Sequence, residues 1–163
     1  MDTLADFIEA LASEPYHLAG SYVSGDRPNS YARPIECDFE FSYNDEALFI
    51  EGRCKGFDSA QDAFRIKVDF ETTTPHAAPV EVTTPRLRAL QGRLLFFGGK
   101  VTFIGRVHAG ALSAQITFER GGISIAGAFA LDHHYYAFSL KGGPSSTYEV
   151  LSNVVGIRAP RRA

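Results

Sequence analysis

Residues 64–71 read FRIKVDFE, and their side chains alternate without a break. Phe64, Ile66, Val68 and Phe70 fall on one side, Arg65, Lys67, Asp69 and Glu71 on the other. Period two with one apolar and one charged face is the pattern of a strand that buries one side and wets the other. The buried side calls for a sheet with a second apolar layer over it.

The same period recurs along most of the chain. CDFEFSY (37–43) and ALFIEGRC (47–54) flank Asn44-Asp45, a turn-forming pair, and read as a hairpin. LAGSYVS (18–24), VEVTT (80–84), RLLFF, KVTFIGRV, LSAQITFE, ISIAGAFAL and HYYAFSL are further strands, punctuated by Gly98-Gly99, Ala109-Gly110 and Gly121-Gly122. Thirteen Phe and seven Tyr against one Met and no Trp suit aromatic, strand-rich packing. Only the N-terminus departs from this period. Leu4, Phe7, Ile8 and Leu11 recur at helical spacing, Thr3 and Asp6 form a capping-box pair, and Pro15 marks the stop, so a short helix is expected over 3–13. No repeat or linker divides the 163 residues; one domain spans 1–157, with a basic tail over 158–163. The stretch 147–157 fits either a closing strand or a short helix.

Register follows from keeping large apolar residues on one face. With Asp132-His133 as a two-residue turn, Leu131 opposes His134, Phe129 opposes Tyr136, Gly127 opposes Phe138 and Ile125 opposes Leu140. The other face is then Ser124, Ala126, Ala128, Ala130, Tyr135, Ala137 and Ser139. By the same pairing Phe118 meets Ile123, Val107 meets Leu112, Phe96 meets Val101 and Phe41 meets Leu48. A sheet of eight to ten such strands has one continuous apolar face and must close on itself. Short local connections favour an all-β, single antiparallel up-and-down β-barrel; a two-sheet β-sandwich is the alternative. Leu95, Phe97 and Ile104 are left on the outer face, where the N-terminal helix or a second subunit could cover them.

A meander also sorts its connections into two ends. The tight turns at 44–45, 98–99 and 120–122 share one end. The segments 25–36, 55–63 and 84–92, His108 and the 132–133 turn share the other, where functional residues are expected. His134 and Tyr136 face inward there, about 7 Å apart on one strand. They are the candidate catalytic pair, an imidazole and a phenol able to act as acid and base. A rim histidine beside a core tyrosine bonded to a backbone carbonyl fits the same pattern. Tyr43, Cys37, Cys54, Phe39, Phe103, Phe129 and His108 complete the candidate ligand-binding wall, and Gly52, Gly105 and Gly127 are expected to leave space within it.

Other chemistry finds no support. His17, His76 and His108 are scattered and no HxH or HxxxH pattern occurs, so neither a metal site nor a cofactor is expected. No nucleophile elbow or phosphate loop is present. A formal charge of −3 is too small for a nucleic-acid or membrane surface, and no apolar run or leader-like N-terminus is seen. Cys37 and Cys54 fall diagonally in the register above, which favours free thiols in a reducing, cytoplasmic setting.

Gly20-Ser21-Tyr22, following a short helix, resembles the Gly-x-Trp that opens the first strand of calycin and lipocalin-like barrels, with Tyr in place of Trp. The resemblance covers five residues, LAGSY, and implies a barrel with a ligand cavity. Two function classes follow. One is a barrel that binds a small, largely apolar or aromatic molecule, including cofactor-independent isomerase, cyclase or lyase chemistry through His134 and Tyr136. The other is a non-catalytic interaction or assembly module that uses Leu95, Phe97 and Ile104.

Overall fold

Ten strands follow one short helix in the computed structural model, which describes residues 2–11, 14–25, 31–56, 62–84, 90–107, 110–131 and 134–145. They are α1 (Leu4–Ala10), β1 (Tyr16–Ser24), β2 (Arg33–Tyr43), β3 (Ala47–Lys55), β4 (Asp62–Asp69), β5 (Ala77–Thr83), β6 (Leu90–Phe97), β7 (Lys100–Val107), β8 (Gly110–Glu119), β9 (Gly122–Leu131) and β10 (His134–Pro144). Every strand pairs antiparallel with its neighbours in sequence, and β1 pairs with β10 to close the ring. The architecture is a closed up-and-down barrel, not a sandwich. Residues 132–133, 147–157 and the 158–163 tail lie outside the described residues. Among the described residues, no helix is long and apolar enough to cross a membrane.

Periodicity placed the β9–β10 pairing correctly. Phe129 opposes Tyr136, Gly127 opposes Phe138 and Ile125 opposes Leu140, with Ala126, Ala128 and Ala137 exposed on the outside. The pairs Phe118–Ile123 and Phe96–Val101 also stand as expected. Two registers differ by two residues. Leu48 opposes Tyr43 rather than Phe41, and Val107 opposes Gly110 rather than Leu112. At the first, the Asn44 side-chain oxygen accepts from the backbone N–H groups of Glu46 (2.8 Å) and Ala47 (3.0 Å), so the turn is longer than a two-residue hairpin. A shift of two leaves each side chain on its face but moves it along the strand.

That shift overturns the expectation of free thiols. Cys37 lies directly opposite Cys54, with a Cα–Cα separation of 4.2 Å, and the two form a disulfide. The case for a reducing compartment therefore loses its cysteines as support.

The turn-rich end is shut by α1. Phe7 inserts between Phe96 (ring centroids 5.7 Å apart) and Phe118 (5.9 Å), and Leu4, Ile8 and Leu11 join the core of Leu48, Val68, Phe96 and Val101. The helix thus caps the barrel's end. It does not cover the outer strip, and Phe97 remains 83% exposed with Leu95 and Ile104 beside it. The helix stops at Ala10, short of the expected residue 13, because Leu11 is already extended at φ −78°, ψ 128°.

The inward glycines also differ from expectation. A Cβ at Gly127 would lie 2.8 Å from the Phe138 ring and at Gly105 2.6 Å from the Phe103 ring; at Gly52 it would lie 2.6 Å from Phe39 Cβ. These positions are filled, by rings leaning over glycines and by neighbouring backbone, rather than empty.

Two outcomes are expected. Cross-linking a 17-residue separation should stabilise the fold by about 3 kcal/mol. Denaturant melts of the Cys37→Ser/Cys54→Ser double variant, compared with the oxidised parent, measure it. The Asp6 carboxylate accepts from the backbone N–H of Asp2 (3.0 Å) and bonds with Thr3, which holds its pKa below the usual value. Its contribution is complete above the ordinary carboxylate pKa of about 4 and fades as pH falls through the lowered value. Melting temperature followed from pH 6 to pH 2 should lose this component in Asp6→Ala.

Candidate functional site

In a closed barrel, alternate side chains point into one interior, and their accessible surface reports the space inside. The two halves of this wall differ. On β6 and β7, Leu90, Leu94, Phe96, Val101 and Phe103 are buried. On β8, β9 and β10, the inward Leu112, Ile116, Ile125, Phe129, Tyr136 and Phe138 are only half-buried. The β6–β7 wall is packed; on β8–β10, Ala114, Ile123 and Leu140 are buried as well, and accessible surface remains at the six half-buried residues.

Aromatic rings line the loop-rich end of that wall. Phe129 and Tyr136 stack at 4.6 Å with 19° between planes, a consequence of their direct opposition on β9 and β10. Phe138 lies 6.3 Å from Phe129, and Tyr22 of β1 lies 6.4 Å from Tyr136. Tyr22 is buried, and its hydroxyl donates to the Gly56 carbonyl at 3.0 Å. Gly56 adopts φ 111°, a conformation that L side chains rarely take, where the chain leaves β3. Tyr22 thereby ties β1 to the end of β3. The Cys37–Cys54 disulfide, Ile35 and Phe64 belong to the same cluster, against which Tyr136 and Phe138 pack.

The expected site residues separate into groups. Tyr136 and Phe129 are brought together, as are Cys37 and Cys54. Phe39 is buried and stacks on Tyr16 at 5.5 Å, and Phe103 sits on the packed β7 wall. Tyr43 ends β2 at the turn-rich end and is 63% exposed, away from the stacked Phe129–Tyr136 pair. His108 lies outside the described residues. The backbone of His134 pairs with Leu131 at the start of β10, and its side chain is outside the described set.

Two residues of this end were not singled out. One is Tyr22, noticed only as the third residue of Gly-Ser-Tyr. The other is Arg33, directly opposite Tyr22 on β2 and on the same face as Ile35 and Cys37. Period two running back from Cys37 through Ile35 to Arg33 could have found it, but Pro34 made the stretch read as loop. Elsewhere, His17 is buried on the outward face with Nδ1 2.8 Å from Asp38 Oδ1. Among the described residues, no group of three or more His, Cys, Asp or Glu could hold a metal ion.

No family model matches the chain, and no curated protein matches it by sequence. Solved structures do. Rv2717c from M. tuberculosis superposes with a TM-score of 0.57 at 10% identity, over 83% of this chain and 94% of that one. The likeness is one of fold. EF1p2_mFAP2b bound to DFHBI (TM-score 0.46, 11% identity, 83% and 95% covered) and the ywiB protein from Bacillus subtilis (0.43, 11%, 85% and 98%) superpose too loosely to bear on function.

The Tyr22–Gly56 bond has a measurable consequence. Tyr22→Phe should destabilise the barrel by about 1 kcal/mol in urea melts, since it strips a carbonyl of its donor. An unchanged midpoint would show that water replaces the hydroxyl without cost.

Proposed function

We propose that this protein binds a small, largely apolar or aromatic molecule inside the barrel, against the β8–β10 wall and entering from the end opposite α1. The observation that carries this reading is the contrast between walls. Inward Leu112, Ile125, Phe129, Tyr136 and Phe138 keep accessible surface, while β6 and β7 are packed. Apolar surface left facing water inside a closed barrel is a standing driving force for a ligand that displaces the water. The stacked Phe129–Tyr136 pair offers a flat ring face to it.

The catalytic form of the proposal assigns proton transfer to Tyr136 and His134, two residues apart on β10, in a cofactor-independent isomerisation, cyclisation or elimination. Tyr136→Phe separates the two forms once a turned-over compound is found. Loss of rate of about 10²–10⁴-fold at unchanged affinity marks proton transfer; unchanged rate marks a binding role only.

Titration with a fluorescent neutral aromatic such as 2-naphthaleneacetamide tests the binding reading. The parent should bind it, and Leu112→Trp should weaken binding by at least about tenfold by filling the space, with overpacking costing about 1–3 kcal/mol of stability. Circular dichroism checks that the variant is folded. Phe97→Ser on the outer strip should leave binding unchanged. Equal binding by the parent and Leu112→Trp, with loss in Phe97→Ser, would instead favour an assembly surface formed by Leu95, Phe97 and Ile104.

A further inference from the structure

The outer surface of the barrel is divided into a charged and an uncharged sector. On β2–β6 the outward positions include Asp38, Glu51, Arg65, Lys67, Glu81 and Arg93. On β8, β9, β10 and the mouth half of β1, the described outward residues carry no charge over three successive cross-strand rows. The middle row runs from β7 to β1 through Ile104, Ser113, Ala128, Ala137 and Val23, each directly opposite the next, and all five are exposed. Ala111 and Ala130 sit in the row nearer the mouth, and Ala126 in the row nearer α1. An antiparallel face turned to water ordinarily carries polar side chains, and Ala is depleted from strands. The alanines also shape the surface. Ile104 on β7, 50% exposed, and Tyr135 on β10, 58% exposed, stand on either side of the short side chains of β8 and β9. A surface that a barrel would make convex is hollowed there into a shallow trough.

We propose that this sector is the interface of a homodimer, in which a second copy packs the same face against it across a two-fold axis near Ala128. Ala128 is the centre of the patch, on the middle strand of the five and in the middle row of the three. Charge selects the occupant. An uncharged face gives a foreign partner no charge pattern to recognise, whereas it meets its own copy without like-charge repulsion. Arg106, at the β7 edge, belongs to a polar rim around it. Shape agrees, because Tyr135 of each copy is an exposed aromatic able to fill the trough of the other. Size agrees as well. Five strands at about 4.8 Å spacing and three rows about 6.8 Å apart span roughly 24 Å by 20 Å. With side-chain relief, two such faces bury about 1,000–1,200 Å² in total, at the lower end of specific interfaces. The dimer is therefore a reversible one. This proposal concerns the exterior of the barrel and does not depend on a ligand inside it.

Sedimentation velocity tests this on the parent and on surface variants. Over about 1–100 μM the parent should pass from monomer to dimer, the affinity range expected for a contact of this size. Ala128→Glu and Ala128→Lys each set like charges against one another at the axis and should raise the dissociation constant at least about 100-fold. An equimolar mixture of the two variants should recover the dimer. Tyr135→Ser should weaken it by roughly tenfold. Phe97→Ser, on β6 and one row beyond the patch, should leave it unchanged. Circular dichroism and urea midpoints like those of the parent show that each exposed substitution leaves the fold intact. A parent that stays monomeric up to about 100 μM overturns the proposal, including the case in which a different protein occupies the face. A dimer that survives both Ala128 variants, or one that is lost in Phe97→Ser, overturns it too.

Discussion

Closure between β1 and β10 is the constraint on which the rest of the molecule depends. These strands lie at opposite ends of the sheet in sequence, and their pairing from Tyr16–Pro144 to Ser24–Tyr136 removes both free edges. The seam is tight: a side chain at Gly20 or Gly142 would run into the backbone of the partner strand. Once the ring is closed, inside and outside are distinct for every strand, and alternation becomes a rule for what faces the interior. Tyr22, Tyr136 and Phe138 meet only because of this seam, since β1 and β10 are more than a hundred residues apart.

The interior is then divided by what the strands carry into it. At the α1 end, Phe7, Phe96, Phe118, Leu48 and Val68 close the barrel as a conventional core. The β6–β7 wall is filled by Phe103 and Phe96, with Gly92 and Gly105 giving room to the Phe103 ring. On the adjoining β8–β10 wall, Ala114, Ile123 and Leu140 are buried, while Leu112, Ile116, Ile125, Phe129, Tyr136 and Phe138 stay half-buried. A chain can thus draw stability from one end and one wall while keeping accessible apolar surface at the other. The disulfide Cys37–Cys54 and the Tyr22–Gly56 bond brace the β1–β3 side of that open region.

Much of this was legible in the residues themselves. FRIKVDFE announced a strand with one wet face, the Thr3–Asp6 pair announced the helix start, and the apolar sorting of 123–140 located the β9–β10 pairing to the residue. Less legible was everything that depends on axial position. Pairing Phe41 with Leu48 keeps the right face but lies two residues out of place, which makes Cys37 and Cys54 diagonal. Arg33 was hidden by Pro34, which reads as loop although the strand runs through it.

The physical reason is the period of a strand. Alternation specifies a register only in steps of two, because a shift of two residues returns every side chain to its own face. The amino-acid sequence by itself therefore determined the all-β class, the inward and outward sets, and the aromatic character of the interior. Which inward residues share a level was left to tertiary structure: the hydrogen bonds of the Asn44 turn, the β1–β10 seam and the helix that shuts one end. Those contacts joined the cysteines and placed Tyr22 beside Tyr136.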